Sequence, residues 1–229
     1  MKILGIDTTT RFLCLGIYEN NKIYEYNLDL GRRLSGLMTP TIKRVLDALG
    51  WRIKDIDYFA CGLGPGSFTG MRVGIAAIKG LAFSLNKPVI GVSTLDILAR
   101  NAGISGGSYV VPIVDARRSL IYCSIYRNKP GQLVRLSPYM LLTIDEFLGK
   151  IKSKDNAVIL GDAVNLYKEK ILTHMRNVTV LDKDYWYPVG RNIINLAIEK
   201  INSKKANSAA RIKPIYLYPK ECQIRKAIR

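Results

Sequence analysis

The sequence predicts an α/β protein of two similar halves, each built on a mixed five-stranded sheet flanked by helices. Three observations predict this class. Strand-like and helical segments follow the order βββαβαβ in the first half, a strand-hairpin pattern recurs 108 residues later, and a chain of 229 residues suits one large or two small domains. A composition of 48% hydrophobic and 23% charged residues makes disorder over most of the chain improbable.

The recurrence is seen when Asp115 is aligned with Asp7. Residues 6–20 then align with residues 114–128, and Asp, Ile, Tyr and Asn recur in register. In each copy an apolar strand ends in an aspartate, a polar turn follows, and a second apolar run leads to Tyr-x-Asn and a further strand. Four identities over so short a stretch are also compatible with chance, so the repeat indicates a duplication without proving it.

The remaining elements of the first half follow in order. Apolar residues recur at helical spacing over residues 37–49, and Gly50 ends that segment. A short strand at residues 58–61, a glycine-rich loop at 62–72, a helix at 73–85 and a strand at 88–91 complete it.

The glycine-rich loop lies where a strand passes into a helix. Exposed amides at such a helix start can hold a phosphate. Two nucleotide-binding patterns fail, however, because G-x-G-x-x-G requires glycine at Thr69 and the P-loop requires Gly-Lys-Ser/Thr at residues 70–72. A tight turn that starts the next helix is the main interpretation, and phosphate binding is the weaker alternative.

The helix at 73–85 is apolar on nearly every face, which a one-sided surface helix is not. Its small residues allow another helix to approach closely. Either the second half of the chain covers the extra face, or the face is a subunit interface.

The second half is again α/β, with helices predicted at residues 145–151, 164–174 and 191–201 and extended segments at 157–160 and 178–181. A Gly-Ser-rich stretch at 101–108 marks the boundary. The predicted subdomains are residues 1–102, with the glycine-rich loop, and residues 103–229, a diverged repeat whose last basic segment packs back on the first.

A formal charge of +17 favours a polyanionic partner such as nucleic acid, or an acidic protein surface. Basic residues become more frequent only towards the C-terminus. The alternative explanation of the net charge is a generally lysine-rich composition. Four cysteines without a CxxC pair and a single histidine, His174, indicate no metal site. With no membrane-length apolar run and an early aspartate, we expect a cytoplasmic protein that binds no membrane.

Several motifs together are specific: residues 5–10 (GIDTTT), 64–74 (GPGSFTGMRVG), 79–82 (KGLA), 92–95 (VSTL) and 115–118 (DARR). They closely resemble the TsaB (YeaZ) family, accessory proteins of bacterial tRNA threonylcarbamoyladenosine synthesis with an old glycoprotease-like label. The resemblance is densest over residues 1–126. The chain departs from the family pattern at Leu34, where many members carry histidine, and at Tyr218, where arginine is common.

The resemblance implies a duplicated fold of the actin, sugar-kinase and Hsp70 type, also called ribonuclease H-like, with nucleotide placed between the halves. It implies a candidate nucleotide or phosphate site at Asp7, Thr8, Thr9, Gly64, Gly66, Ser67 and Asp115. For the two aspartates, local capping of their own turns is the favoured alternative. The His-x-x-x-His metal pair of the related subunit TsaD is missing at residues 94–98.

The resemblance further implies a non-catalytic subunit that binds TsaD directly, acts with the ATPase TsaE and meets tRNA through the complex. No catalytic residue is assigned, and ATP or ADP with Mg is expected only in the complex. Without TsaD the same surface is expected to form a homodimer. The predicted interface residues are Leu37, Met38, Ile42, Val45, Arg72, Ile75, Ile78, Lys79 and Ala82. The alternative function is an ATP-dependent phosphotransferase of the sugar-kinase type, and protease activity ranks last.

Overall fold

The computed structural model describes residues 1–103, 108–130, 132–152, 154 and 156–219. Its first sheet has the strand order β3-β2-β1-β4-β5. The β1–β2 and β2–β3 pairs are antiparallel, whereas β4 pairs in parallel with β1 and with β5. The strands of this sheet are β1 (Lys2–Asp7), β2 (Phe12–Glu19), β3 (Lys22–Asp29), β4 (Tyr58–Gly62) and β5 (Val89–Val92).

One face of the first sheet packs on two helices, α1 (Leu34–Ala48) and α2 (Phe68–Ser84). Alternate residues of β1 point to opposite faces, so Leu4 and Ile6 join the core beneath these helices while Ile3 joins the opposite core. Both faces of the first sheet are therefore covered by apolar cores, as the nearly continuous apolar residues of its central strands predict.

The second sheet has the main strand order β10-β7-β6-β11-β12, and β8 and β9 extend it beside β6. Two helices, α4 (Ile144–Ile151) and α5 (Val164–His174), cover one face of it. The strands are β6 (Tyr109–Arg117), β7 (Leu120–Cys123), β8 (Tyr126–Lys129), β9 (Gln132–Arg135), β10 (Met140–Thr143), β11 (Ala157–Leu160) and β12 (Val178–Val180).

The second sheet has seven strands where five were predicted, because two of the predicted strands are each interrupted, one into β7 and β8 and the next into β9 and β10. Both β7 and β8 pair with β6, in the way that the unbroken β2 pairs with β1. At the break, the Ile125 amide donates to Ser137 Oγ at 2.9 Å instead of to a strand carbonyl, and Pro138 follows with no amide hydrogen to donate. The order βββαβαβ is therefore kept, and the predicted duplicated α/β fold is confirmed.

The helices that follow each sheet cross to the other half. Helix α3 (Thr94–Ala99) packs on β6, whereas α6 (Gly190–Asn202) packs on the free face of the first sheet. The start of α6 lies directly against β2, since Cβ atoms on Gly16 or Gly190 would overlap backbone atoms of the other element. The two subdomains are thus joined by reciprocal packing.

Residues 203–219, which we call the C-terminal segment, run from α6 along the first subdomain towards the second. Asn207 pairs with Val89, Ala209 and Ile212 are buried, and the Tyr218 hydroxyl donates to the Ala116 carbonyl at 2.9 Å. The rest of the basic tail, residues 220–229, and residues 104–107 of the predicted boundary lie outside the described residues. The boundary at 102/103 remains a prediction.

Two helix predictions need correction. Helix α2 begins at Phe68 instead of residue 73, because the Ser67 hydroxyl caps it by accepting the Gly70 amide at 3.2 Å. Helix α3 was not predicted, although Ser93 caps it in the same way through the Leu95 amide.

Among the described residues, we find no helix with the length and apolar character needed to cross a membrane.

Candidate functional site

A cleft of about 1140 Å³ lies between the two subdomains. It is lined by the start of α2, the turns after β1 and β6, and the C-terminal segment. Of the residues with a predicted nucleotide role, Thr9, Gly66, Ser67 and Asp115 line it.

The carboxylate of Asp7, at the end of β1, is buried beneath this cleft. One oxygen accepts the amide and hydroxyl of Thr9 at 2.8 and 2.7 Å, and the other accepts the Thr94 hydroxyl at 2.9 Å. Burial raises the pKa of Asp7, and these hydrogen bonds act in the opposite direction. The bond to Thr94 ties β1 to α3, and because Asp7 is only 1% exposed its carboxylate does not line the cleft.

Two other predicted nucleotide residues also lie away from the cleft. The Thr8 hydroxyl donates to the Gly70 carbonyl at 2.8 Å, and Thr8 is buried. Gly64 is buried in a left-handed conformation at φ 89°, with Met71 against its open side. Asp7, Thr8 and Gly64 therefore do not line the cleft, and their contact with a nucleotide stays a prediction.

The glycines of the loop allow backbone to pack on backbone. The Ser67 amide donates to the Thr9 carbonyl at 2.7 Å, and a Cβ on Gly66 would come within 2.5 Å of that oxygen. A Cβ on Gly70 would likewise overlap the Thr8 carbonyl. The close approach that the glycines permit is to this chain's own β1 turn, which agrees with the tight-turn interpretation.

Asp115 repeats the local geometry of Asp7 on the second sheet. Its Oδ1 accepts the Arg117 amide at 2.7 Å, two residues on, as Asp7 accepts that of Thr9. The following residues Arg117, Arg118 and Ser119 are all left-handed, at φ 66°, 52° and 58°. Three consecutive residues in this region are unusual without glycine, and they direct the two arginines towards the cleft.

Sequence reasoning missed Asp162. This residue lies in the short connection between β11 and α5, and its side chain lines the cleft. Its Oδ1 accepts the Asp115 amide at 2.9 Å. Burial raises the pKa of Asp162 to about 6, and the nearby charge of Asp115 adds to the increase. The Gly-Asp pair directly after the strand at 157–160 was the available signal, since strand ends meet at such clefts.

We expect Asp162→Asn to stabilise the protein near neutral pH. The carboxyl pKa is about 6 in the folded state against 3.8 as the ordinary value, so the folded state holds more protons between these pH values. The free energy of unfolding therefore falls as the pH rises through this window. An asparagine at this position does not ionise, so it removes this loss, which amounts to about 1–3 kcal/mol above pH 7. Urea unfolding at pH 4 and pH 7.5 measures the difference, which should nearly vanish at the lower pH. A variant less stable than the parent at pH 7.5 contradicts this.

The cleft also contains guanidinium groups. Arg11 is paired with Asp29 and Arg117 with Asp115. Within the described part of the chain, Arg32 and Arg118 have no acidic partner within 4.0 Å. Unpaired guanidinium groups beside amides at the start of α2 can bind an anion such as phosphate.

The predicted interface residues divide into buried and exposed positions. Leu37 and Arg72 are exposed, Val45 is half-buried, and the half-buried Lys79 donates to the Ile212 carbonyl at 3.3 Å. Five lie in the core beneath α1 and α2 and expose little side-chain surface in this conformation: Met38, Ile42, Ile75, Ile78 and Ala82.

A different face of α2 is open. Thr69, Arg72, Ala76, Gly80 and Phe83 are all exposed and follow one another at helical spacing, forming what we call the α2 stripe. Phe83 is 81% exposed, which is exceptional for so large an apolar side chain. The apolar residues of α2 therefore fall on two sides of the helix. Those on one side are buried in the core, and those on the other are exposed in the α2 stripe.

Comparison with known sequences gives a consistent group. The model of the family described as "TsaD: tRNA N6-adenosine threonylcarbamoyltransferase" matches residues 29–209. A Bacillus subtilis relative, "tRNA threonylcarbamoyladenosine biosynthesis protein TsaB", is 34% identical over 173 residues, 75% of each chain. The Haemophilus influenzae protein of the same name is 28% identical and covers 95% of this chain and 93% of its own.

Solved structures agree with the fold. A Pseudomonas aeruginosa structure, described as an uncharacterized protein with similarity to peptidase YEAZ, superposes with a TM-score of 0.83 at 25% identity, covering 95% of this chain and 99% of its own. A second structure, "YeaZ from Pseudomonas aeruginosa", gives a TM-score of 0.78 at 23% identity over 94% and 100% of the two chains.

Proposed function

We propose that this chain, which belongs to the TsaB family of tRNA threonylcarbamoyladenosine biosynthesis proteins, is a non-catalytic partner of a TsaD subunit. In this role it supports transfer of the threonylcarbamoyl group to the adenosine next to the tRNA anticodon. TsaE is the proposed third component, and tRNA is reached through the complex.

The observation that carries the proposal is the α2 stripe. Ala76 and Gly80 allow the backbone of a second helix to approach closely, and Phe83 supplies a large apolar side chain beside them. On the neighbouring α1, Leu37 is 37% exposed. An exposed apolar face of this kind suits a helical partner, and we propose that it binds the TsaD subunit, or a second copy of this chain when TsaD is absent.

The state of Asp7 supports a structural role. Both of its oxygens are occupied by threonine donors, and a strand-end aspartate that orients metal or phosphate must instead present its carboxylate to the cleft. The glycine-rich loop likewise packs on the turn after β1.

Reconstitution tests the proposal. Purified TsaD, TsaE and the adenylate synthase are incubated with tRNA, threonine, bicarbonate and ATP, and modified adenosine is measured by mass spectrometry. We expect that omitting this chain lowers the product at least tenfold, and that this chain with the synthase alone yields none. Product formed without TsaD contradicts the non-catalytic role, and full product without this chain contradicts the partner role.

The cleft favours a second candidate, an ATP-dependent phosphotransferase of the sugar-kinase type. The cleft volume of about 1140 Å³ is large enough for a nucleotide, and Arg32 and Arg118, which line the cleft, could bind its phosphates. Calorimetric titration with Mg-ATP separates the two: micromolar binding to the chain alone favours the phosphotransferase. Binding only in the presence of TsaD agrees with our proposal that ATP or ADP with Mg is held in the complex.

A further inference from the structure

The C-terminal segment carries four cations and no acidic residue between positions 203 and 219. Lys204, Lys205, Arg211 and Lys213 are all exposed. None of them has a carboxylate oxygen within 4.0 Å in the part of the chain that the structure describes. We call these four residues the C-terminal band.

Several other cations of the first subdomain have a carboxylate partner. Arg11 pairs with Asp29, Lys43 with Asp47 at 2.6 Å, and Arg52 with Asp55 at 3.3 Å. The C-terminal band differs from these pairs because its four cations lie close together in sequence with no carboxylate partner among the described residues, so their charge is available to an external anion.

The band is held on a fixed backbone. Val89 and Asn207 exchange two backbone hydrogen bonds of 2.8 and 2.9 Å just after the two lysines. Further along, Ala209 and Ile212 are buried in the first core, so the intervening Arg211 and the following Lys213 point outwards. A preorganised backbone lowers the ordering cost of binding an extended polyanion.

The segment continues into an exposed aromatic cluster. The Arg72 guanidinium lies 3.8 Å from the centre of the Phe68 ring, and its Nε donates to the Tyr216 hydroxyl at 3.0 Å. Phe68 is 43% exposed and Tyr216 37%, with ring centres 5.5 Å apart. Exposed aromatic and guanidinium faces are the groups on which unpaired bases stack.

We infer that the C-terminal band binds the phosphate backbone of RNA, and that Phe68 and Tyr216, which Arg72 holds together, provide a stacking surface beside it. The aromatic cluster favours RNA over an acidic protein surface, which has no bases to stack. The inference rests on the proposed function, because that function makes tRNA the RNA in question.

Fluorescence anisotropy with a labelled tRNA anticodon stem-loop tests the inference on the full chain. The variant replaces all four band residues by alanine. A matched control replaces four exposed, unpaired lysines elsewhere and changes the charge equally: Lys22, Lys54, Lys168 and Lys183. We expect the band variant to bind at least about tenfold more weakly at about 100 mM salt, with a salt slope smaller by about 3, and the control to lose less than about threefold.

Equal losses in the two variants would show general charge attraction and overturn the inference, as would undiminished affinity of the band variant. Competition by polyglutamate as effective as that by unlabelled RNA would assign the band to an acidic protein instead and also overturn it. Association with TsaD is measured separately by pull-down. A chain that binds RNA through the band but fails to bind TsaD refutes the proposed function only, whereas a chain that binds TsaD normally but shows no band effect refutes the inference only.

Discussion

Replacing Ile78 by glutamate is expected to abolish folding. Ile78 is fully buried in the core between α2 and the first sheet. The substitution removes an apolar side chain and forces a carboxylate either to ionise without a partner or to remain protonated in an apolar site. Together these costs are at least about 5 kcal/mol, comparable to the whole stability of a typical domain. Circular dichroism and urea unfolding measure the loss.

Ala76 provides the matched control, since it lies two residues away on the same helix and is exposed. We expect Ala76→Glu to change the free energy of unfolding by less than about 1 kcal/mol. If Ile78→Glu melts at the temperature of the parent protein, Ile78 does not lie in the core. If Ala76→Glu unfolds the chain, the outward direction of the α2 stripe is wrong.

These two positions show why the sequence did not separate the buried from the exposed side of α2. Helix α2 is apolar in almost every direction, so periodicity does not separate its inner face from its outer one. Large residues such as Ile75 and Ile78 offer much apolar area, and the structure buries them in the core beneath α1 and α2. What remains outside is the α2 stripe, in which Phe83 is the one large apolar side chain.

The local features were predictable from sequence. The succession of strands and helices along the first half, the helices at 37–49 and 164–174, and the paired turns at Asp7 and Asp115 each depend on residues close together in the chain. Even the inference that turn capping outweighs ligand binding at Asp7 agrees with its hydrogen bonds.

Features that depend on distant contacts were not predictable. Asp162 joins the cleft because β11 pairs with β6, a contact across almost fifty residues of sequence. The crossing of α3 and α6 to opposite sheets depends on packing between subdomains. A single sequence holds no periodic signal for such contacts.

The second large effect is expected at the α2 stripe. The double variant Ala76→Arg/Phe83→Glu places two long charged side chains where we propose that a partner helix packs. Close helix contact at a small residue does not accommodate an arginine, and the loss of an exposed phenylalanine removes an apolar anchor. Affinity for TsaD should fall at least about 100-fold, and self-association should fall with it. Sedimentation velocity and titration calorimetry measure both.

Leu172→Glu is the matched control for Phe83, because Leu172 is 48% exposed on α5 of the second subdomain, away from α2. It should bind TsaD like the parent protein, and all variants should keep the parent melting temperature, since no core residue is changed. Lost binding with retained folding then isolates the stripe as the contact, and threonylcarbamoylated tRNA should fall in proportion to the complex formed. Parent-level binding by the double variant would remove the α2 stripe from the interface and leave the exposed side of α1, around Leu37, as the surface to test next.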